Sequence, residues 1–174
     1  MTATANPSIE EQCTALWKEA FGDEEEFILS FMQNHYDREN IMYIEENGHL
    51  LSMLHLIPFE AEGTKVGYIY AVATASEARG RGLASRLIKE AIEKARKIGF
   101  AALATLPADE KLHGFYNRFG FKGRHKVTFI TADGFDFGTG DKEKDFVTVL
   151  ERSRRFNIPD HSTLLRLERK RGRL

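Results

Sequence analysis

Apolar residues recur along the chain with two periods, and the switches between them mark out the elements. From Ser8 onward Cys13, Leu16, Trp17, Ala20 and Phe21 keep helical spacing, with Ser8 as the expected N-cap, Glu11 as its capping-box partner and Gly22 as the stop. A second helix is expected next, capped by Asp23, opened by Glu24, Glu25 and Glu26, and turning Phe27, Ile28, Phe31 and Met32 inward. Ile41 to Glu45 and His49 to Phe59 read as strands joined through Glu46-Asn47-Gly48, since Asn-Gly between apolar runs is a strong hairpin signal. The turn Glu62 to Lys65 then delivers the chain into a third strand, Val66 to Thr74. The period changes again at Leu83, where Leu87, Ile88, Ala91, Ile92, Ala95 and Ile98 line one face of a helix that Gly99 ends.

The second half repeats the alternation. Ala101 to Leu106 is a short buried strand, and a helix from about Asp109 carries Leu112, Phe115, Tyr116 and Phe119 before Gly120 closes it. Phe121 to Thr131 reads as a long strand with Val127, Phe129 and Thr131 on one side, followed by a polar, glycine-bearing loop from Asp133 to Lys144. Phe146 to Leu150 fits either a last strand or the start of a helix. Strand, helix, strand around residues 66–106 implies a parallel crossover. The pattern describes a mixed α/β (α+β) chain organised as a single domain over residues 1–174, with 151–174 a basic extension of unspecified structure.

Composition narrows the classes of function. A chain of 174 residues, 42% hydrophobic and 29% charged, can bury one sizeable core, and a net charge of -1 gives no global pull toward nucleic acid or an anionic membrane. The arginines between Arg152 and Arg173 could hold phosphates, but the balanced whole and the lack of a base-reading motif favour a solvated tail or a contact between copies in a homodimer. The single cysteine, Cys13, falls beside Leu16 and Trp17 and reads as a buried structural thiol. No metal-ligand spacing stands out. Without a membrane-length apolar run or a recognisable leader, the expected location is the cytoplasm.

The chemistry concentrates between the third strand and the following helix. There the turn Ala78-Arg79-Gly80-Arg81-Gly82-Leu83-Ala84-Ser85 combines two glycines and two arginines with a helix start. Glycine lets the backbone bend sharply and lets a ligand approach it, while the first turn of a helix offers unpaired N–H groups at the positive end of a dipole. Gly80 to Ser85 can therefore cradle an anion such as a phosphate, and Arg79 and Arg81 add charge. A dinucleotide-binding turn is the competing reading of Gly80-x-Gly82-x-x-Ser85. That motif belongs after the first strand, with an acid about twenty residues on. Phe100 to Leu103 holds none.

Arg79-x-x-Gly82-x-Ala84, set between a strand and an amphipathic helix, closely resembles the Arg/Gln-x-x-Gly-x-Gly/Ala signature of the GNAT superfamily of N-acetyltransferases. Downstream, Phe115-Tyr116-Asn117-Arg118-Phe119-Gly120-Phe121 resembles that family's Phe-Tyr-x-x-x-Gly-Phe element. The resemblance runs from about Ile41 to Thr131 and more loosely over the N-terminal helices. It implies a GNAT fold: a central mixed, mostly antiparallel sheet, splayed at a parallel fourth and fifth strand and flanked by helices. It also implies acetyl-CoA as acyl donor, with the pyrophosphate on Arg79, Gly80, Arg81, Gly82, Leu83, Ala84 and Ser85. A bulge in the central strand near Val72, Ala73 and Thr74 would present amides to the pantetheine arm and acetyl oxygen. Asp109 stands where the family usually carries an asparagine at the cofactor.

The activity so implied is direct transfer of acetyl to a primary amine of a small molecule or peptide. Tyr116 is the implied catalytic residue, its hydroxyl at an ordinary pKa of about 10 suited to protonate a departing thiolate. The base is unassigned: the histone acetyltransferase pattern would put it at Tyr68 or Val66, neither a carboxylate, while His55 and Glu60 lie on the neighbouring strand. Glu24, Glu25 and Glu26 fall where the family borders its acceptor cleft, which suits a cationic acceptor. A GNAT-like binding protein without activity is the alternative.

Overall fold

Ser8 closes a full capping box at the start of the first helix, α1 (Ile9–Phe21). Its hydroxyl accepts from the Glu11 amide at 3.2 Å, and the Glu11 carboxylate accepts from the Ser8 amide at 2.7 Å. In the computed structural model, which describes residues 6–152 and 164–170, the order continues α2 (Glu25–Asn34), β1 (Ile41–Glu46), β2 (His49–Ala61), β3 (Thr64–Thr74), α3 (Leu83–Ile98), β4 (Ala102–Thr105), α4 (Glu110–Asn117), β5 (Lys122–Ile130), β6 (Phe146–Glu151) and β7 (Leu165–Glu168). Short 3-10 turns occupy Ser76–Ala78 and Lys142–Lys144. Among the described residues no helix is long and apolar enough to cross a membrane.

The seven strands form one mixed sheet in the order β1-β2-β3-β4-β6-β5-β7, and β7 also pairs with β2. Contacts divide the chain into two compact units, Met1–His55 with Ala71–Leu87 and Leu56–Tyr70 with Ile88–Leu174. In the first, α1 and α2 bury Cys13, Leu16, Trp17, Ile28 and Phe31 together with Met53, Leu54 and His55 of β2. The β1–β2 hairpin turns through Asn47 and Gly48, both at positive φ as an Asn-Gly turn requires.

In the second unit β3 and β4 run parallel, Val66 opposite Ala102 through Ile69 opposite Thr105, with α3 as the crossover that the sequence pattern implies. Their close packing needs Gly67, where a Cβ would stand 2.6 Å from Leu103 and 2.8 Å from Leu56. Antiparallel β4–β6 and β5–β6 pairs and a parallel β5–β7 pair complete this half. Phe137 is buried against Phe59, Tyr68 and Phe129, and the buried Phe135 packs edge-on to Phe137, so the polar loop after β5 is pinned by its two aromatic residues, and the Tyr68 hydroxyl donates to the Phe137 carbonyl at 3.0 Å.

Several expectations are corrected. Asp23 does not cap α2; its carboxylate accepts from the Trp17 indole N–H at 2.8 Å, and Glu24 takes the cap position without a side-chain bond. A buried ring that must satisfy its N–H outbids a surface helix end for the same oxygen. Phe21 is 47% exposed and Ile98 and Leu112 also face solvent, all three at or near helix ends. Residues 146–151 form a strand because β4 and β5 flank them on both sides. Finally, part of the basic extension is not a solvated tail: β7 is a strand of the sheet with Leu165 and Leu167 buried, while residues 153–163 and 171–174 lie outside the described region.

Candidate functional site

The glycine turn and the tyrosine helix belong to different compact units, and each is built from its own neighbours. In the first unit, β3 stops being regular at Ala71, a non-glycine residue at φ 51. An irregularity that re-aims the strand is thus present one residue before the stretch expected from the resemblance, Val72 to Thr74. Beyond it the strand end is tied down. Ser52 Oγ donates to the Ala73 carbonyl at 3.1 Å and lies 2.9 Å from Thr74 Oγ1, and the Ala75 amide reaches Leu51 O at 2.8 Å.

The turn that follows has the geometry of an anion cradle. Gly80 and Gly82 sit at φ 77 and 74, and nothing lies within 4 Å of where a Cβ would stand on either. The first intrahelical bond of α3 is Arg86 N–H to Gly82 O at 3.0 Å, which leaves the Leu83, Ala84 and Ser85 amides without a partner inside the helix. The Ser76 amide donates to Glu19 of α1 at 2.9 Å, holding the 3-10 turn ahead of the cradle, and that bond keeps the Glu19 carboxyl below its ordinary range. Arg79 Nε donates to the Thr74 carbonyl at 3.3 Å, so this arginine closes the turn back onto β3. Arg81 differs from expectation. Its guanidinium forms a two-point pair with Glu46 of the β1–β2 hairpin, at 2.5 and 3.2 Å, and holds that carboxyl below its usual range. Its charge is therefore balanced locally, and the cradle's positive character rests on Arg79 and the helix amides.

In the second unit, α4 is capped by Asp109, whose Oδ1 accepts from the Leu112 amide at 2.9 Å. The carboxylate at the family's asparagine position thus has a structural use. One face of this short helix carries Tyr116, which is 5% exposed and packs edge-on to Phe115 and Phe121. Burial pushes its phenol up to about 12, partly offset by a hydrogen bond with Thr105 at the end of β4, so the ordinary value of about 10 does not apply. Thr105 Oγ1 itself donates to Ile69 O at 3.0 Å, which fixes the hydroxyl beside the tyrosine. The sequence carries no signal for Thr105, nor for Glu46 or Glu19; each acts through strand pairing or a long-range contact.

The candidates for a base fare poorly. His55 is fully buried among Trp17, Phe31 and Tyr36, neither ring nitrogen has a hydrogen-bond partner, and burial pushes its pKa down to about 3. Glu60 pairs with Lys170 at 3.0 Å. Tyr68 is buried, its hydroxyl spent on Phe137 and its pKa raised well above the usual value by burial.

Residues 3–123 match the model of the acetyltransferase (GNAT) domain family. Solved structures with a similar fold include a GNAT family N-acetyltransferase, YhbS, from Escherichia coli in complex with CoA. It is 18% identical, at a TM-score of 0.65, over 94% of this chain and 86% of that one. Rv2747 from Mycobacterium tuberculosis, in complex with CoA, is 15% identical at a TM-score of 0.59, over 83% of this chain and 94% of that one. A GNAT family acetyltransferase from Brucella melitensis in complex with acetyl-CoA is 21% identical at 0.52, over 66% of this chain and 75% of that one. At such identities the likeness is one of fold. A search of curated proteins gives no match.

Proposed function

The chain belongs to the acetyltransferase (GNAT) domain family, and on that footing we propose that it is an acetyl-CoA-dependent N-acetyltransferase acting on a primary amine of a small molecule or peptide. The observation that carries this reading is the cradle. Two glycines at positive φ leave open space over the backbone, directly before a helix whose first amides have no partner within it. These residues fit a diphosphate: the Leu83, Ala84 and Ser85 amides would donate to its oxygens along the helix dipole, and Arg79 would add a full charge. The backbone at Val72, Ala73 and Thr74 would hold the pantetheine arm.

Acetyl-CoA, when bound, supplies an acetyl group already activated as a thioester. What remains for the chain is to orient the acceptor and manage protons. Tyr116 keeps its proton throughout the physiological range and would donate it from Oη to the sulfur as the thiol departs. Asp109 serves this by fixing the start of α4. With His55 sealed and Glu60 paired to Lys170, neither is assigned as the base, and a group or water chain must take the ammonium proton; an amine of pKa about 10.4 is only about 0.1% neutral near pH 7.4, a deficit of roughly 4 kcal/mol.

A Gly82→Glu change would place bulk and negative charge in the cradle, and would strain the backbone because φ is positive there. Isothermal calorimetry should show the wild type binding acetyl-CoA and the variant losing most of that affinity. Equal binding by both, or by neither, ends the proposal. The acceptor is then found by screening amines for release of free thiol.

A further inference from the structure

At the opposite end of α3 from the glycine cradle, within the second unit, lies a surface cavity of about 640 Å³ that the proposed reaction does not use. Its walls come from three places: Gly63 and Lys65 at the β2–β3 turn, Arg96 and Gly99 at the end of α3, and Ala101 and Arg152 at the adjoining ends of β4 and β6. Backbone bonds hold these together. The Ala101 amide donates to Lys65 O at 3.0 Å, and the Arg152 amide donates to Ala101 O at 2.8 Å. A cation from each wall therefore meets the others on a fixed frame.

We propose that this cavity is a second anion site, taking the phosphate group of a small soluble molecule on Lys65, Arg96 and Arg152. Charge accounting supports it. The side chains of Lys65 and Arg152 make no hydrogen bond or ion pair with another described residue, while Arg96 is held by Glu93 at 2.5 and 3.2 Å. Three cations against one carboxylate leave two positive charges. The C-terminal dipole of α3 subtracts only about half a charge. It is weakened further where the Gly99 and Phe100 amides cap the Arg96 and Ala95 carbonyls, at 3.3 and 3.0 Å. Dipole compensation alone would call for basic residues on α3, such as Arg96 and Lys97, and does not require Lys65 and Arg152 from other elements. A concave volume of this size suits a small molecule better than a flat lipid surface. Two-point arginine contacts suit phosphate oxygens in particular.

The test is a titration of the full chain with inorganic phosphate, followed by amide resonances in a nitrogen-proton correlation spectrum. Saturable shifts are expected at Gly63, Gly99 and Ala101, distinct from any at Gly80 and Gly82. In Lys65→Ala/Arg152→Ala, both sites being exposed, the dissociation constant read at Gly99 should rise about tenfold or more. In Glu93→Gln, which frees Arg96, it should fall severalfold, an effect opposite to that of general damage. Shifts confined to Gly80 and Gly82, the same constant in the double variant, or no loss of affinity on adding salt would overturn the proposal. Cosedimentation with phosphatidic acid vesicles, without a response to free phosphate, would overturn the soluble ligand.

Discussion

Tyr116 and His55 are both polar rings sealed from solvent, each in its own unit, and burial keeps both neutral at physiological pH. What separates them is a partner. The phenol shares a hydrogen bond with the Thr105 hydroxyl at the end of β4, whereas neither nitrogen of His55 has a partner among the described residues, and the rings of Trp17 and Phe31 pack around it. A buried group with a partner can hold a proton in a defined direction, ready for transfer. One without a partner is packing volume whose polar atoms cost stability. Burial alone therefore does not mark a catalytic residue in this chain.

Acid exposes that difference most strongly. Because the folded His55 value, about 3, lies below the ordinary 6.5, the unfolded chain binds the proton first, and stability is lost as pH falls between those values. At about 1.4 kcal/mol per pH unit the loss attributable to His55 reaches about 4 kcal/mol by pH 3, where the folded imidazole is half protonated. His55→Leu, which keeps roughly the same volume, should flatten this part of the pH dependence in urea unfolding. An unchanged slope would mean that the imidazole finds a partner in solution.

Removal of the phenolic hydroxyl comes next. Tyr116→Phe keeps the ring packed against Phe121 and should lower turnover 10- to 1000-fold with acetyl-CoA affinity nearly unchanged. In the wild type the rate should climb with pH as the amine deprotonates, without a falling limb from Tyr116 below about pH 12. A decline between pH 8 and 10 that disappears in Tyr116→Phe would contradict the raised value. The comparison can also be collapsed. Thr105→Val strips Tyr116 of its partner and makes it resemble His55; the expected cost is about 1–3 kcal/mol in thermal unfolding, with slower turnover. No change in either would show that the threonine is dispensable.

The smallest effect is expected at the surface of α2. Glu24, Glu25 and Glu26 are all exposed. Replacing them together by glutamine should raise the Michaelis constant of a cationic acceptor, more at low salt than at high salt. A loss of a few tenths of a kcal/mol in stability with an unchanged constant would instead make them dipole-compensating residues alone.

Local interactions explain what the sequence determined by itself. The Ser8–Glu11 capping box, the Asn47–Gly48 turn, the amphipathic stripe of α3 and the glycine turn before it all depend on residues a few positions apart, so their chemistry is written in the chain. Only the tertiary structure decided the rest, because each remaining feature joins distant segments. Asp23 serves Trp17 rather than α2, Glu46 balances Arg81 across 35 residues, and β6 becomes a strand by entering between β4 and β5. The tyrosine motif is visible in sequence, but not the raised pKa of Tyr116. That value comes from the packing around α4 and from Thr105, and desolvation depends on what surrounds a group in space rather than on its neighbours in sequence.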